Sequence, residues 1–343
     1  MTNGILLYGA TGFTGTLIAD EAKNRGIDII LSGRDEAKLK TLSDRTGFAY
    51  RIIMLDNKES MKKGLDGISA VINIAGPFIS ELPDFVEMCI QLKVNFIDLA
   101  MDPDVLADYD TSARENSVML LSGAGHAFLP MDCLGGLLYT QMPDAQRLSI
   151  FISGMNTMSR GTAKSNIALI KQGIHHKRNG KRYKIRNMKP VQIQFNNDSK
   201  LFVPASFGVA TLGFSTEIPT IETYFEATPA VKPFIFIIKY LSWLFGFPFM
   251  QKFLEKRMNS LPAGPNEEQR NSGHVKYFAR IENENTNLFA TLTTPEAYKT
   301  TYLATLAVIE KLKENSRPGF QTPFRLFGTD MLNEIPGFTL KQN

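Results

Sequence analysis

Three glycines, Gly9, Gly12 and Gly15, spaced GxxGxxG within GILLYGATGFTGTLIADEA, constrain this chain more than any other feature. An apolar run ends at the first glycine and a helical pattern opens after the second, so the motif lies on a strand-to-helix turn. There the first glycine permits the tight turn, the second lets backbone approach a ligand, and the third lets the helix sit close on the sheet. The first turn of a helix offers N–H groups with no intrahelical acceptor and the positive end of the helix dipole. A pyrophosphate is stabilised there without a cationic side chain, which makes Gly9, Thr11, Gly12, Phe13, Thr14 and Gly15 a dinucleotide-binding loop.

The first hundred and twenty residues repeat this pattern. Apolar runs GILLYG, DIILSG, YRIIML, SAVINIAG, NFIDLA and SVMLLSG alternate with helical periods over 16–25, 36–45, 58–65, 82–92 and 104–116. Continuous apolar strands alternating with amphipathic helices predict a doubly wound, Rossmann-type parallel sheet. Ligands bind such sheets at the carboxyl ends of the strands. At the end of the second strand, LSGRD offers Ser32 and Arg34 where an NAD site would carry an acid, and a guanidinium grips a 2′-phosphate, so NADP is the expected cofactor. Asp35 stands as the counter-signal: it either caps the helix EAKLKTL or turns inward and favours NAD. Asp56, read as the end of the third strand, either accepts from the adenine amino group or caps DNKE. Asn73, Ala75, Gly76, Pro77 and Phe78 of NIAGPF are expected to line the nicotinamide half.

The remaining composition narrows the class. The 343 residues leave room for two cores, and nothing at the amino terminus resembles a secretion signal, so a cytoplasmic protein is expected. Cys89 and Cys133 fall in apolar helical patterns outside any CxxC pair and are read as buried thiols, and the four histidines have no metal-ligand spacing, so no metal is expected. None of the ten tyrosines has Lys four positions on, which excludes the catalytic pair of short-chain dehydrogenases. Beyond Phe128 the pattern becomes that of an α+β domain built on a mixed sheet. Thr294, Pro295 and Glu296 are read as the cap and first turn of a helix reaching about Lys313. From Lys171 to Lys189 there are eight Lys and Arg and no acid, folded about an Asn179-Gly180 hairpin turn, either a solvated edge or a contact for an anionic surface. The apolar run within 232–256 holds Lys239 and is broken by Pro248, which argues against a membrane span. It reads as a buried helix, a homodimer interface, or a helix in the membrane interface with Tyr240 and Trp243 at headgroup level. No aromatic platform for nucleic acid accompanies the basic stretch.

With GATGFTG, SGRD, NIAGPF, FIDLA and GAGHAFLPMDCLGG on the page, and with SRGTAKSNI, AGPNEEQR and PGFQTPFRLFGTDMLNEIPG downstream, the chain resembles the saccharopine-dehydrogenase-like oxidoreductases, which include trans-acting enoyl reductases of lipid biosynthesis. The resemblance implies a nucleotide domain over 1–124, a substrate domain over 125–294, a helix at 295–314 returning to the nucleotide domain beside a cleft between the two, and a tail over 315–343 packed on the body. It implies NADPH-dependent hydride transfer to a small-molecule or lipid-like substrate of apolar acyl or enoyl type. Reduction of an imine or amino-acid substrate, and a non-catalytic membrane-associated role, stand as alternatives. The family carries an acid where this chain has Ala127. His126, one position earlier, is either a structural histidine or a proton donor, and Lys164 is either a second donor or a solvated helix residue.

Overall fold

The computed structural model describes residues 4–76, 82–99, 103–163, 173–185, 189–195, 198–227, 262–312 and 314–342. The chain divides into two units, Met1–Leu129 with Tyr298–Gly328, and Pro130–Ala297 with Thr329–Asn343.

In the first unit the apolar runs become β1 (Gly4–Tyr8), β2 (Ile30–Gly33), β3 (Tyr50–Ile52), β4 (Ile68–Asn73), β5 (Asn95–Asp98) and β6 (Met119–Ser122). With β15 (Gly319–Gln321) they form a parallel sheet in the order β15-β6-β5-β4-β1-β2-β3. Strands buried on both faces need cover on both. It comes from α1 (Phe13–Arg25), α2 (Glu36–Thr46), α3 (Lys58–Gly64), α4 (Leu82–Gln91), α5 (Pro103–Ala107) and α6 (Asp110–Glu115). On one face Leu6, Val71, Phe96, Leu120 and Phe320 pack with Phe85 of α4, whose ring lies 5.2 Å from Tyr8 and 6.1 Å from Phe96. Burying side chains of this size contributes about 1.5–3 kcal/mol each, relative to leaving them in water.

Local chemistry sets the element ends. Asp35 caps α2 by accepting from the Lys38 N–H at 3.1 Å, and Gly26 and Gly47 close α1 and α2 in the left-handed region that glycine enters without steric cost. Three expectations are corrected here. The third strand stops at Ile52, so Asp56 lies four residues beyond it, and α3 is capped by Asn57, which accepts from the Ser60 N–H at 3.0 Å. The helix expected over 104–116 is two short ones. The second starts at Asp110, whose carboxylate takes the Phe320 N–H at 2.6 Å and pairs with Arg114 at 2.8 Å, so its position is set by β15.

The second unit is a mixed sheet. At its centre β7 (Arg147–Ser153) runs parallel to β12 (Thr220–Glu226) and antiparallel to β13 (His274–Glu282). Outward on one side lie β11 (Asp198–Ala205) and β10 (Val191–Phe195), and on the other β14 (Asn287–Pro295) and β16 (Thr339–Gln342). Strict alternation in β13 buries Val275, Tyr277, Ala279 and Ile281 on one face. Phe151 stacks on Tyr224 at 4.8 Å and meets Phe202 edge-on at 5.3 Å, forming a second small core. The strands β8 (His175–Arg178) and β9 (Lys181–Lys184) form the expected hairpin. Asn179 and Gly180, with φ of 50° and 76°, make the two-residue turn that matches strand twist.

Helices α7 (Phe128–Gln141), α8 (Val209–Ser215), α9 (Glu267–Ser272), α10 (Ala297–Lys311), α11 (Pro323–Phe327) and α12 (Met331–Glu334) complete the described elements. The expected start of the long helix is also corrected: Thr294 and Pro295 belong to β14, paired with Val275 and His274, and α10 begins at Ala297. The Thr294 hydroxyl donates to the Pro295 carbonyl at 3.0 Å, whereas buried Glu296 accepts from Thr157 at 2.9 Å. No helix among the described residues is long and apolar enough to cross a membrane, and the run 232–256 lies outside them.

A methyl group on Gly15 would lie 2.6 Å from the carbonyl oxygens of both Gly9 and Ala10, against rigid backbone. Gly15→Ala is therefore expected to lower stability by about 1–3 kcal/mol, read as a fall of several degrees in Tm. An unchanged Tm would show that the helix has room to retreat.

Candidate functional site

The site is built at the carboxyl ends of the parallel strands of the first unit. Gly9, at φ 92°, turns the chain out of β1, and its N–H and that of Ala10 donate to the Ser32 carbonyl at 2.9 and 3.0 Å. Gly12 is the extended residue before α1. It is exposed, at φ −74°, and a side chain there would meet only the Gly9 carbonyl, at 3.3 Å. The three glycines thus divide the work: Gly9 turns, Gly15 packs, and Gly12 leaves the helix N-terminus open to a ligand. Thr11 and Thr14 are half-buried beside it, and the Phe13 ring packs edge-on against Tyr298 of α10 at 5.1 Å.

Register extends the site across the sheet. Ser32, Tyr8, Asn73, Asp98 and Ser122 are successive neighbours across β2, β1, β4, β5 and β6. At roughly 4.8 Å per strand this rank spans about 19 Å, the direction in which a dinucleotide lies across such a sheet.

Its two ends are alike in one respect. The Ser32 and Ser122 hydroxyls are both buried and have no hydrogen-bond partner among the described residues. Buried polar atoms are normally satisfied, so each hydroxyl is suited to take a hydrogen bond with a bound group. At the Ser32 end, Arg34 is exposed and forms no ion pair among the described residues. Asp35 is engaged elsewhere: its carboxylate caps α2 and meets the Lys38 ammonium at 2.9 Å, and these hydrogen bonds hold its pKa below the usual carboxylate value. The residues present therefore fit a 2′-phosphate better than a bare ribose: a guanidinium and a hydroxyl without partners, with the nearby acid turned to a helix cap. Asp56 is exposed.

The centre of the rank is a hydrogen-bonded chain. Asn73, fully buried, donates to Asp98 at 2.5 Å and accepts from the Ala75 N–H at 3.2 Å. Ala75 in turn abuts Gly9, where an added Cβ would lie 2.8 Å from the Ala75 nitrogen. The buried Asp98 carboxylate thus helps fix the loop that leaves β4, and that loop walls the glycine turn. Neither Asp98 nor Ser122 was expected as a site residue. The available signal was a polar residue ending an apolar strand, as Asn73 does. Gly76 is exposed, while Pro77, Phe78 and Lys164 lie outside the described residues.

His126 follows β6 in the turn that leads into α7, next to Ala127 at φ 70°. The residue as a whole is half-buried but its Nε2 is buried, and loss of hydration pushes its pKa down to about 3, so the ring is neutral around pH 7. In the second unit Asp132 of α7 is buried and accepts from the Ser215 hydroxyl at 2.6 Å. Cys89 and Cys133 are buried free thiols whose pKa burial raises, the second further by Asp132.

Residues 5–121 match the saccharopine dehydrogenase NADP binding domain family. A lipid droplet localized protein of Caenorhabditis elegans is 25% identical over 145 residues, 37% of this chain and 34% of that protein. A saccharopine dehydrogenase-like oxidoreductase of Rattus norvegicus is 25% identical over 162 residues, 40% of this chain and 37% of the relative. The alignments thus cover little more than a third of these relatives' lengths. The apo structure of histidine-tagged saccharopine dehydrogenase (L-Glu forming) from Saccharomyces cerevisiae aligns over 99% of both chains with a TM-score of 0.62 and 12% identity, so the two share a fold.

Two outcomes follow from this geometry. Arg34→Ala is expected to weaken NADPH binding by about 10- to 100-fold, the worth of a charge-assisted pair, while NADH binding changes little in a calorimetric titration. Equal losses for both would remove Arg34 from the 2′-phosphate site. The lowered pKa of His126 also has a sign. Between about pH 6.5 and pH 3 the unfolded chain binds a proton that the folded ring refuses, so this contribution to stability is complete near pH 7 and is lost as pH falls through that window. Replacing His126 with Gln should flatten the fall in Tm between pH 7 and pH 4, and an unaltered slope would refute the burial argument.

Proposed function

We propose that this chain, whose first 121 residues carry an NADP-binding domain of the saccharopine dehydrogenase type, is an oxidoreductase that reduces an apolar acyl substrate of the enoyl type with NADPH. The observation that carries the cofactor side of this reading is the rank of strand ends, with the glycine turn following β1 and, at each end, a buried serine hydroxyl that has no partner among the described residues. Gly12 and the first turn of α1 hold the pyrophosphate, Ser32 and Arg34 hold the 2′-phosphate, and the Asn73–Asp98 pair steadies the wall between β4 and β5. NADPH, when bound, supplies the hydride.

The substrate side rests on two supports: the apolar run 232–256 in the sequence, and the name of the C. elegans relative, a lipid droplet localized protein. In this reading the run is the part of the chain that meets lipid, where apolar acyl groups partition. Hydride addition to the β-carbon of an unsaturated acyl group drives negative charge onto the acyl oxygen. A neutral imidazole N–H is suited to meet that charge, and burial keeps this ring neutral, so it stays a donor without becoming an acid. His126 therefore acts as a hydrogen-bond donor to the acyl oxygen, and the α-carbon takes its proton from solvent.

The test is NADPH oxidation with α,β-unsaturated acyl thioesters of increasing length, beside a keto acid and amine pair that forms an imine. On this reading kcat/KM rises about fourfold per added methylene until the pocket is filled, the worth of about 0.8 kcal/mol each. Replacing His126 with Ala lowers kcat at least about tenfold with NADPH affinity unchanged. Turnover of the imine pair alone would assign the site to amino-acid chemistry, and turnover of neither would leave a dinucleotide-binding protein without this reaction.

A further inference from the structure

The turn that follows β6 repeats the glycine turn that follows β1. Tyr8-Gly9-Ala10 has its counterpart in Ser122-Gly123-Ala124, each at the end of a parallel strand. The Gly9 and Ala10 N–H groups both donate to the Ser32 carbonyl, and the Gly123 and Ala124 N–H groups both donate to the Asp98 carbonyl, at 2.9 and 3.2 Å. Gly123 stands at φ 87°, against 92° for Gly9, so the chain leaves both strands by the same left-handed step. The helices that follow differ. Pro130 lies in the first turn of α7 and has no N–H to offer, so the second turn is a poorer seat for a phosphate than the first.

What the second turn has instead is a side chain. Where the first carries Tyr8, whose ring packs on Phe85, the second carries Ser122, whose hydroxyl is buried and has no hydrogen-bond partner among the described residues. Asp98 ties the two turns together. Its backbone carbonyl takes the Gly123 and Ala124 N–H groups, and its side chain accepts from Asn73, which holds Ala75 against Gly9. The interval between the glycine turn and Ser122 is therefore set by a continuous set of hydrogen bonds.

We propose that the Ser122 hydroxyl is the partner of the nicotinamide carboxamide of NADPH and that it fixes which way the ring is turned. With the 2′-phosphate at Ser32 and Arg34, as proposed above and on which this assignment rests, the other extremity of the cofactor falls toward β6. The polar group at that extremity is an amide, with an acceptor oxygen and a donor NH₂. A hydroxyl, donor and acceptor at once, suits both halves of it, whereas an ammonium or a carboxylate suits one. Either face of the ring can be turned to a substrate, and turning it over carries the carboxamide to the opposite side. A fixed partner at Ser122 therefore decides which of the two C4 hydrogens is presented.

The test is calorimetric titration of Ser122→Ala with NADPH and with 2′,5′-ADP, which lacks the nicotinamide half. NADPH binding is expected to weaken about tenfold, the worth of a buried hydrogen bond, while 2′,5′-ADP binding is unchanged. In the same samples the fluorescence of bound NADPH, which reports how firmly the reduced ring is held, should fall toward that of the free cofactor. Ser122→Cys, which keeps the shape of the side chain but bonds weakly, should reproduce both changes, and it serves if the alanine variant fails to fold. Unchanged NADPH binding, or an equal loss for both ligands, would overturn the proposal. Arg34→Ala, titrated in parallel, separates this assignment from the placement beneath it. A loss of both ligands in Arg34→Ala, with NADPH binding unchanged in Ser122→Ala, would leave the placement standing and sink the role of Ser122 alone. No loss of either ligand in Arg34→Ala would remove the placement, and the role of Ser122 with it.

Discussion

The nucleotide domain depends on a contact between backbones, where Gly15 of α1 rests on the Gly9 and Ala10 carbonyls. Because no side chain separates them, the helix begins almost on top of the strand that feeds it, and its first N–H groups face the ligand edge of the sheet. The rest of the nucleotide site is arranged around that contact. Ala75 fills the space beside Gly9, Asn73 holds Ala75, and Asp98 holds Asn73, so a carboxylate two strands away fixes the wall of the glycine turn. An anion site assembled this way is made largely of absent side chains and oriented amides. At its rim, Arg34 supplies an exposed cation.

Much of this was legible in the sequence because it depends on local rules. The spacing of Gly9, Gly12 and Gly15 on a strand-to-helix turn identifies the loop, the alternation of apolar runs with helical periods identifies the parallel sheet, and Asn179-Gly180 identifies the hairpin. In the sequence Asp35 has two roles open to it, because an acid in that position can either cap a helix or bind a ribose. The hydrogen bond to the Lys38 N–H decides it.

What was not legible depends on register or on distant strands. Asp98 and Ser122 enter the site because β4, β5 and β6 align their last residues in one rank, and no periodicity reveals how adjacent strands align. Thr294 and Pro295 carry the chemistry of a helix start, yet pairing with Val275 and His274 holds them in β14, so tertiary pairing overrides a local signal. The break between α5 and α6 has the same origin, since Asp110 is drawn to the backbone of Phe320, more than two hundred positions away in the chain.

Those late strands affect how the protein comes into being. β15 closes the first sheet against β6, with Gly319 beside Met119, and β16 pairs with β14 in the second. On a ribosome adding about 5–20 residues per second, the open flank of β6 waits roughly 10–40 seconds for its neighbour. During that interval the apolar edge of β6 stands uncovered, the kind of surface that recruits wrong partners, whereas β14 waits only roughly 2–10 seconds for β16. The final stretch of the chain therefore serves as the closure of both halves.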